Sequence, residues 1–239
     1  MPETLQHTSA APVAPESIKL GDTQLVPDLS GALWLPDTST VLVADLHFEK
    51  GSSFAAKGVH LPPYDTGSTL TMLEQVVARY GPERVVSLGD SFHDDASRAR
   101  MGQADVERIR GLTRRTEFIW ITGNHDTSPP ADLGGTITGQ LTIGELNLQH
   151  APSGGLSFSP EVSGHLHPVA AVSRRGRRLR RRCFASDGAR LVMPAFGAYT
   201  GGLNVISEAF YPVFPNGKFW VWMLGREAVY KIHSRHLRP

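Results

Sequence analysis

The sequence contains a single cysteine, Cys183, among its 239 residues. One thiol cannot form a disulfide within the chain, which excludes a disulfide-stapled secreted domain and favours a reducing compartment. The sequence also lacks the apolar run of about 20 residues that a membrane helix requires. We therefore expect no membrane partner and predict a cytoplasmic location.

The N-terminal residues lack the basic start and apolar core of a secretory signal. Their content of Pro, Ala, Ser and Thr predicts a flexible leader over residues 1–17. The remainder, residues 18–239, is predicted to form a single domain, because a chain of this length buries enough surface to fold without a staple.

Neither sign of charge is in excess, since the formal net charge is only +1. The exception is local: seven arginines fall within residues 174–182 (RRGRRLRRR). Such a run can contact a polyanion or form a solvated hairpin, and the sequence leaves both interpretations open.

Apolar runs alternate with helical patterns in the first half of the chain. Helical spacing predicts helices over residues 66–80 and 104–115, while the Gly- and Pro-containing segment 51–64 is predicted to be irregular. Strands are predicted at 33–35, 41–44, 84–88 and 117–121. This order implies a largely parallel sheet with crossover helices.

Short strand candidates separated by polar turns fill the second half and predict an antiparallel sheet. The whole chain therefore predicts two sheets packed face to face with helices outside. The candidates lie at residues 136–138, 141–143, 146–149, 169–172, 180–184, 190–193 and 218–224.

Polar clusters occur where predicted strands end, and ligands of open α/β sheets bind beyond the carboxyl ends of strands. In Asp45-Leu46-His47 and His165-Leu166-His167 the outer residues are two apart, so an extended backbone would place each pair on one face. The clusters are Asp45-Leu46-His47, Gly89-Asp90, Gly123-Asn124-His125-Asp126, His150 and Gly164-His165-Leu166-His167.

The side chains in these clusters offer nitrogen and oxygen ligands and no thiolate. This mixture suits Mn²⁺, Fe or Zn²⁺ and argues against a Ca²⁺ cage or a structural zinc site. The set is too large for one ion, and Asp90 is the natural bridge between two. Two ions about 3.5–4 Å apart can generate a hydroxide nucleophile and neutralise phosphate oxygens. Taken singly, each cluster could instead be a turn, a cap or a polar loop.

The order D-x-H, G-D, G-N-H-[DE], lone His and G-H-x-H resembles the calcineurin-like metallophosphoesterase superfamily. The resemblance implies an α/β fold, a four-layer α/β/β/α sandwich of two mixed sheets flanked by helices. It also implies that His125 contacts the scissile phosphate and protonates the leaving oxygen, with Asp126 orienting it. The implied metal ligands are Asp45, His47 and His167 for one ion, Asn124, His150 and His165 for the other, and Asp90 between them.

A closer resemblance is carried by residues 46–66, GDSFHDD at 89–95 and PAFGAYTGGLNV at 194–205. These stretches resemble the ligase-associated DNA damage response endonuclease family (PdeM). The resemblance implies a DNA substrate and a DNA ligase, a helicase and an exonuclease as partners. We expect two divalent metal ions, with Mn²⁺ ahead of Fe or Zn²⁺.

Other residues are candidates for substrate contact. His93 occupies a position where many members of the superfamily have Asp, Arg177 and Arg178 could bind backbone phosphates, and Tyr199 could stack on a base. The alternatives to a DNA phosphodiesterase are a phosphatase or nucleotide phosphodiesterase acting on small molecules, and a non-catalytic scaffold that binds nucleic acid or a partner. The complete ligand set favours an enzyme.

Overall fold

The computed structural model describes residues 16–59, 61–154, 159–174 and 176–239. The described residues therefore exclude residues 1–15 of the predicted leader, which covers residues 1–17. They also exclude Arg175 of the arginine run. In the described part of the chain, no helix is both long enough and apolar enough to cross a membrane.

The first sheet follows chain order from its first strand to its last. Its strands are β1 (Ile18–Leu20), β2 (Thr23–Pro27), β3 (Leu33–Leu35), β4 (Thr40–Val43), β5 (Arg84–Leu88), β6 (Glu117–Ile121) and β7 (Thr136–Thr138). The pairs from β1 to β4 are antiparallel, whereas those from β4 to β7 are parallel, as the crossover helices predict. The carboxyl ends of β4, β5 and β6 therefore lie at the same edge.

The helices of this half are α1 (Lys50–Ala56), α2 (Asp65–Tyr80), α3 (Ser97–Arg100) and α4 (Gln103–Arg115). On α2 and α4 the buried residues recur three apart, which forms the apolar stripe of an amphipathic helix. These stripes pack on the outer face of the first sheet, and each buried Leu, Ile or Val contributes about 1.5–3 kcal/mol.

Helix α1 lies in the segment predicted to be irregular, so that prediction was wrong. The glycine and two serines at residues 51–53 are weaker helix formers than Ala or Lys, and contacts from the start of α2 hold this first turn in place. The Gly51 amide donates to Asp65 Oδ2 at 2.8 Å, and the Glu49 amide donates to Thr66 Oγ1 at 2.8 Å. These partners are 14 and 17 residues away along the chain, beyond the reach of a local sequence pattern.

The second sheet has the order β14-β11-β12-β13-β10-β9-β8, with β15 paired to β12 and β16 to β15. Its strands are β8 (Leu141–Ile143), β9 (Leu146–Gln149), β10 (Glu161–Ser163), β11 (Pro168–Arg174), β12 (Arg177–Ser186), β13 (Arg190–Val192), β14 (Leu203–Asn204), β15 (Trp220–Leu224) and β16 (Val229–His233).

This sheet is mixed, and the prediction that it is antiparallel was wrong. The pairs β9–β10, β10–β13 and β11–β14 are parallel. Strands of three or four residues carry too little pattern to encode their direction. The β11–β12 hairpin lies between β10 and β13 in the sequence, and it lets β13 run in the same direction as β10. The parallel pairing brings the carboxyl ends of β9 and β10, and hence His150 and Gly164, to one edge.

Three buried clusters define the layers of the sandwich. The first joins the facing sides of the two sheets, with Leu42, Val86 and Ile121 against Leu148 and Phe184. The second lies under α2 and α4. The third covers the outer face of the second sheet with residues 205–219, which include a 3-10 turn at Glu208–Phe210. The predicted α/β/β/α sandwich of two mixed sheets is confirmed, with its outermost layer made largely of loop.

Candidate metal centre

The clusters at the strand ends converge because the carboxyl edges of the two sheets meet. The His165 amide donates to both carboxylate oxygens of Asp45, at 3.2 and 3.0 Å, across 120 positions of sequence. His150 Nε2 lies 3.4 Å from Asp90 Oδ1, which joins the ends of β9 and β5. Segments that are distant in sequence therefore form one polar cavity.

Two groups of side chains within this cavity can each hold a metal ion. Asp45, His47 and His167 form one group, and Asp90, His150 and His165 form the other, with ligand atoms in each group within 4.8 Å of one another. Asn124 adjoins the second group, since its Oδ1 lies 2.9 Å from His150 Nε2. The two clusters fit a dinuclear site.

The unsatisfied nitrogens of His47 support this assignment. Both ring nitrogens are buried and have no hydrogen-bond partner among the described residues. A buried polar atom without a partner costs about 1–3 kcal/mol, and bonding to a cation would remove that cost. Because the surrounding donors are imidazole, carboxylate and amide, the residues present suit Mn²⁺, Fe or Zn²⁺.

The backbone is left-handed at five of the seven proposed ligands, so the prediction that each spaced pair shares a face of extended chain was wrong. A left-handed non-glycine residue costs about 1–3 kcal/mol, and such strain concentrates at functional sites. Here the turns direct both side chains of a pair into the cavity. The φ angles are 54° at Asp45, 46° at His47, 47° at Asp90, 67° at His165 and 45° at His167.

Asp90 and His47 have protonation states that suit metal ligands, which must be deprotonated. Burial acts to raise the pKa of Asp90, but the hydrogen bond and charge of His150 prevail and lower it to about 2. Burial and the neighbouring His167 lower the pKa of His47 to about 3. At neutral pH, Asp90 is therefore a carboxylate and His47 is a neutral imidazole. Burial acts to lower the pKa of His150, but the hydrogen bond to Asp90 and the charges of Asp45 and Asp90 prevail and raise it to about 8, so a bound cation would have to displace that proton.

His125 lies at the mouth of this cavity with an exposed ring. Its amide donates to Asp90 Oδ1 at 2.9 Å, and its Nδ1 lies 3.1 Å from the His93 carbonyl oxygen. A carbonyl only accepts, so Nδ1 carries a proton and Nε2 is the nitrogen free to act on a ligand.

The predicted role of Asp126 in orienting His125 stays a prediction, and among the described residues no hydrogen bond joins its carboxylate to the His125 ring. The buried Asp126 carboxylate accepts from the amides of Ser91 at 2.8 Å, Phe92 at 3.2 Å and Gly123 at 3.0 Å. Burial, together with the charge of Asp90, raises the pKa of Asp126 to about 7. Asp126 therefore ties the loop after β6 to the loop after β5, while the His93 carbonyl contacts the His125 ring.

His93, predicted as a substrate residue, lies within the histidine cluster. Its ring stacks on that of His125, with centroids 5.3 Å apart and planes 19° apart, and lies 5.5 Å from the ring of His47. Burial and the nearby ammonium of Lys50 lower the pKa of His93 to about 4. Lys50 begins α1, so this unpredicted helix directs a cation towards the site.

Arg177 and Arg178 are not brought to the metal ligands. They lie at the far end of the β11–β12 hairpin, where Arg177 pairs with Arg174, whereas Arg182 pairs with Val169 beside His167. Five residues of β12 separate Arg177 from Arg182, which is a distance of about 17 Å along the strand. The other end of the run, at Arg180 and Arg182, is the part close to the centre.

The loop at residues 194–200 braces the first ligand, a role that local sequence patterns did not reveal. The Phe196 amide donates to the Ala44 carbonyl at 2.8 Å, and the Gly197 amide donates to the Asp45 carbonyl at 3.2 Å. Tyr199, predicted to stack on a base, lies half-buried on this loop. The small residues of PAFGA are the signal for this close approach, since a Cβ at Gly197 would overlap the Leu46 carbonyl.

Gly123→Ala is expected to disrupt the centre through packing alone. A Cβ at Gly123 would collide with Asp90 Oδ1 and the Asp90 amide, whereas Gly139 has no atom within 4 Å of an added Cβ. Overpacking costs about 1–3 kcal/mol, which lowers Tm by about 2–4 °C per kcal/mol at this size. Thermal unfolding and metal content should change for Gly123→Ala and stay near wild type for Gly139→Ala. Equal behaviour of the two variants would contradict this.

Comparisons with known proteins found similar chains among solved structures. No protein-family model matches the chain, and no curated protein matches it significantly. Among solved structures, nuclease MPE from Pseudomonas putida is 30% identical, with a TM-score of 0.71, over 91% of this chain and 99% of that one. YfcE, a phosphoesterase from E. coli, is 17% identical, with a TM-score of 0.41, over 81% and 97% of the two chains.

Proposed function

Because this chain belongs to the calcineurin-like metallophosphoesterases and is a metal-dependent phosphoesterase, we propose that it cleaves phosphodiester bonds of DNA as an endonuclease at a dinuclear centre. The observation that carries the proposal is the pair of adjacent His/Asp groups at the meeting edges of the sheets. The likeness to a nuclease over nearly its whole length supports nucleic acid as the substrate class, and the family resemblance of the sequence favours DNA.

Seven side chains would hold the two ions. When bound, the cations neutralise phosphate oxygens and activate water for attack. Asp90 is suited to lie between them, because it contacts His150 of one group and its charge acts on His47 of the other. The proposed ligands are Asp45, His47 and His167 for one ion and Asn124, His150 and His165 for the other, with Asp90 shared.

His125 is proposed as the general acid that protonates the leaving oxygen. The His93 carbonyl lies 3.1 Å from its Nδ1 and accepts that N–H, so the doubly protonated ring, which also carries Nε2–H, is the form that gives a proton to the leaving oxygen. The His93 ring and the half-buried Lys50 lie beside it and are proposed to contact the phosphate. General acid catalysis of this kind is worth about 10²–10⁴ in rate.

Three finer features of the proposal stay predictions. Mn²⁺ is placed ahead of Fe and Zn²⁺, although the ligand types suit all three. Action in DNA repair, with a DNA ligase, a helicase and an exonuclease as partners, stays a prediction. So does the assignment of residues 18–239 to one domain.

The proposal is tested with the full chain loaded with Mn²⁺, Fe or Zn²⁺ and assayed on four substrates. These are supercoiled plasmid, single-stranded DNA, bis-p-nitrophenyl phosphate and p-nitrophenyl phosphate. We expect plasmid nicking and faster hydrolysis of the diester than of the monoester. Preference for the monoester without plasmid nicking would contradict the DNA hypothesis and indicate a phosphatase that acts on small molecules. DNA binding without any turnover would indicate a non-catalytic scaffold.

A further inference from the structure

A cavity of about 360 Å³ lies at the base of the β11–β12 hairpin, next to the metal centre. Its walls include Arg180, Arg181, Arg182 and the loop at Thr200–Gly202. Val169, which also lines it, is two residues from the ligand His167. A Cβ added at Gly202 would collide with the His167 carbonyl oxygen, so this wall of the cavity packs closely on the backbone of a proposed metal ligand.

The three arginines direct their hydrogen bonds at backbone carbonyls. Arg180 donates to Gly202 O at 2.6 Å, and Arg181 donates to Arg180 O at 3.0 Å. Arg182 donates to Ala195 O at 2.7 Å and to Ser30 O at 3.2 Å. A guanidinium has five N–H donors, so Arg180 and Arg181 retain most of theirs for a ligand.

These arginines differ from those on the helical face of the protein. Arg98 and Arg108 each bind a carboxylate at 2.7 Å, that of Asp132 and that of Glu74. Over the described ranges, no carboxylate forms an ion pair with Arg180, Arg181 or Arg182. Their positive charge is uncompensated in a concave site, where an anion would be attracted most strongly.

We propose that this cavity binds a second phosphate of the DNA strand, away from the phosphate that is cleaved. The planar guanidinium fork suits phosphate oxygens, and the small residues Gly201 and Gly202 leave room for them. The inference rests on the proposed nucleic-acid substrate and adds a binding site outside the metal centre.

The exposed end of the hairpin extends this site. From Arg182 to Arg177 the strand rises about 17 Å, and phosphates of one strand recur about every 3.4 Å along a duplex axis. The arginines from Arg177 to Arg182 therefore span the axial length of about five nucleotides. Arg177 and Arg178, which lie too far along the hairpin to touch the metal-bound phosphate, would follow the backbone beyond it.

The test compares R180Q/R181Q with a matched double variant, R114Q/R115Q, whose arginines are exposed at the end of α4. Fluorescence anisotropy of a labelled 12-nucleotide single strand is measured without added metal at several salt concentrations. We expect R180Q/R181Q to weaken binding about tenfold in 0.1 M salt and to reduce the log–log salt slope by about 1.5. The control variant should match wild type. R180K/R181K should restore most of the slope, because it restores the charge.

Cleavage provides a second readout. With metal present, R180Q/R181Q should lower kcat/KM for the oligonucleotide at least tenfold more than for bis-p-nitrophenyl phosphate, which has no second phosphate. Wild type that binds no oligonucleotide would overturn the proposed DNA substrate. Wild type that binds it, with R180Q/R181Q no weaker than R114Q/R115Q, would overturn the second phosphate site alone. Equal losses on both substrates would show that the arginines support the fold instead.

Discussion

Asp90→Asn is expected to remove metal binding and to lower turnover roughly 10³-fold, because several kcal/mol of metal-derived stabilisation is lost. Asp90 is buried, and its Oδ1 lies 3.4 Å from His150 Nε2 and 2.9 Å from the His125 amide. Asn keeps the shape and can still accept from that amide. It removes the negative charge that lies between the two ligand groups.

Elemental analysis of the purified variant and its rate on bis-p-nitrophenyl phosphate provide the measurement. Asp95→Asn is the matched control, since Asp95 is exposed five residues further along the same loop. It should retain the wild-type metal content and rate. An Asp90→Asn protein that holds two ions per chain and turns over within threefold of wild type would refute the shared role of Asp90.

His125→Ala is expected to keep both metals and to slow turnover about 10²–10⁴-fold. The ring is exposed, so truncation leaves no buried cavity. Its Nδ1 contact is with a backbone carbonyl, so no charged partner is left unpaired. A general acid matters most when the leaving oxygen is a strong base. The loss of turnover rate should therefore be larger for a dinucleotide, which expels an alkoxide, than for a p-nitrophenyl ester of a mononucleotide.

The comparison requires kcat for both substrates together with metal content. His236→Ala, which alters an exposed histidine near the C-terminal end of the chain, is the control and should leave all three quantities unchanged. Equal slowing of the two substrates, or loss of metal from His125→Ala, would show that His125 is not the general acid.

The chemistry of the centre could be predicted from sequence because three of the five clusters, at Asp45, Asp90 and Asn124, follow apolar runs. The strand that ends at Leu88 predicts where Gly89-Asp90 lies, and the same holds for Ile121 and Asn124. Burial of the strand and exposure of its polar end are local properties. Both properties can be predicted from the sequence without knowing which strands are neighbours in the sheet.

Several features could not be read this way because they depend on partners distant in sequence. Helix α1 forms because Asp65 and Thr66 bind the backbone at Gly51 and Glu49. The His93 carbonyl, rather than Asp126, contacts His125 because the loops after β5 and β6 lie side by side. The register of the β11–β12 hairpin places Arg182 near the metal ligands and Arg177 at the far end of the hairpin.

The sequence alone determined which side chains could hold metal, since residue type sets ligand chemistry and strand ends set location. Only the tertiary structure decided how they converge, because left-handed turns at Asp45 and His167 and the parallel pairing of β9 with β10 depend on packing between the sheets. Ligand identity is a property of single residues, whereas distance and direction arise only when separate segments share a core.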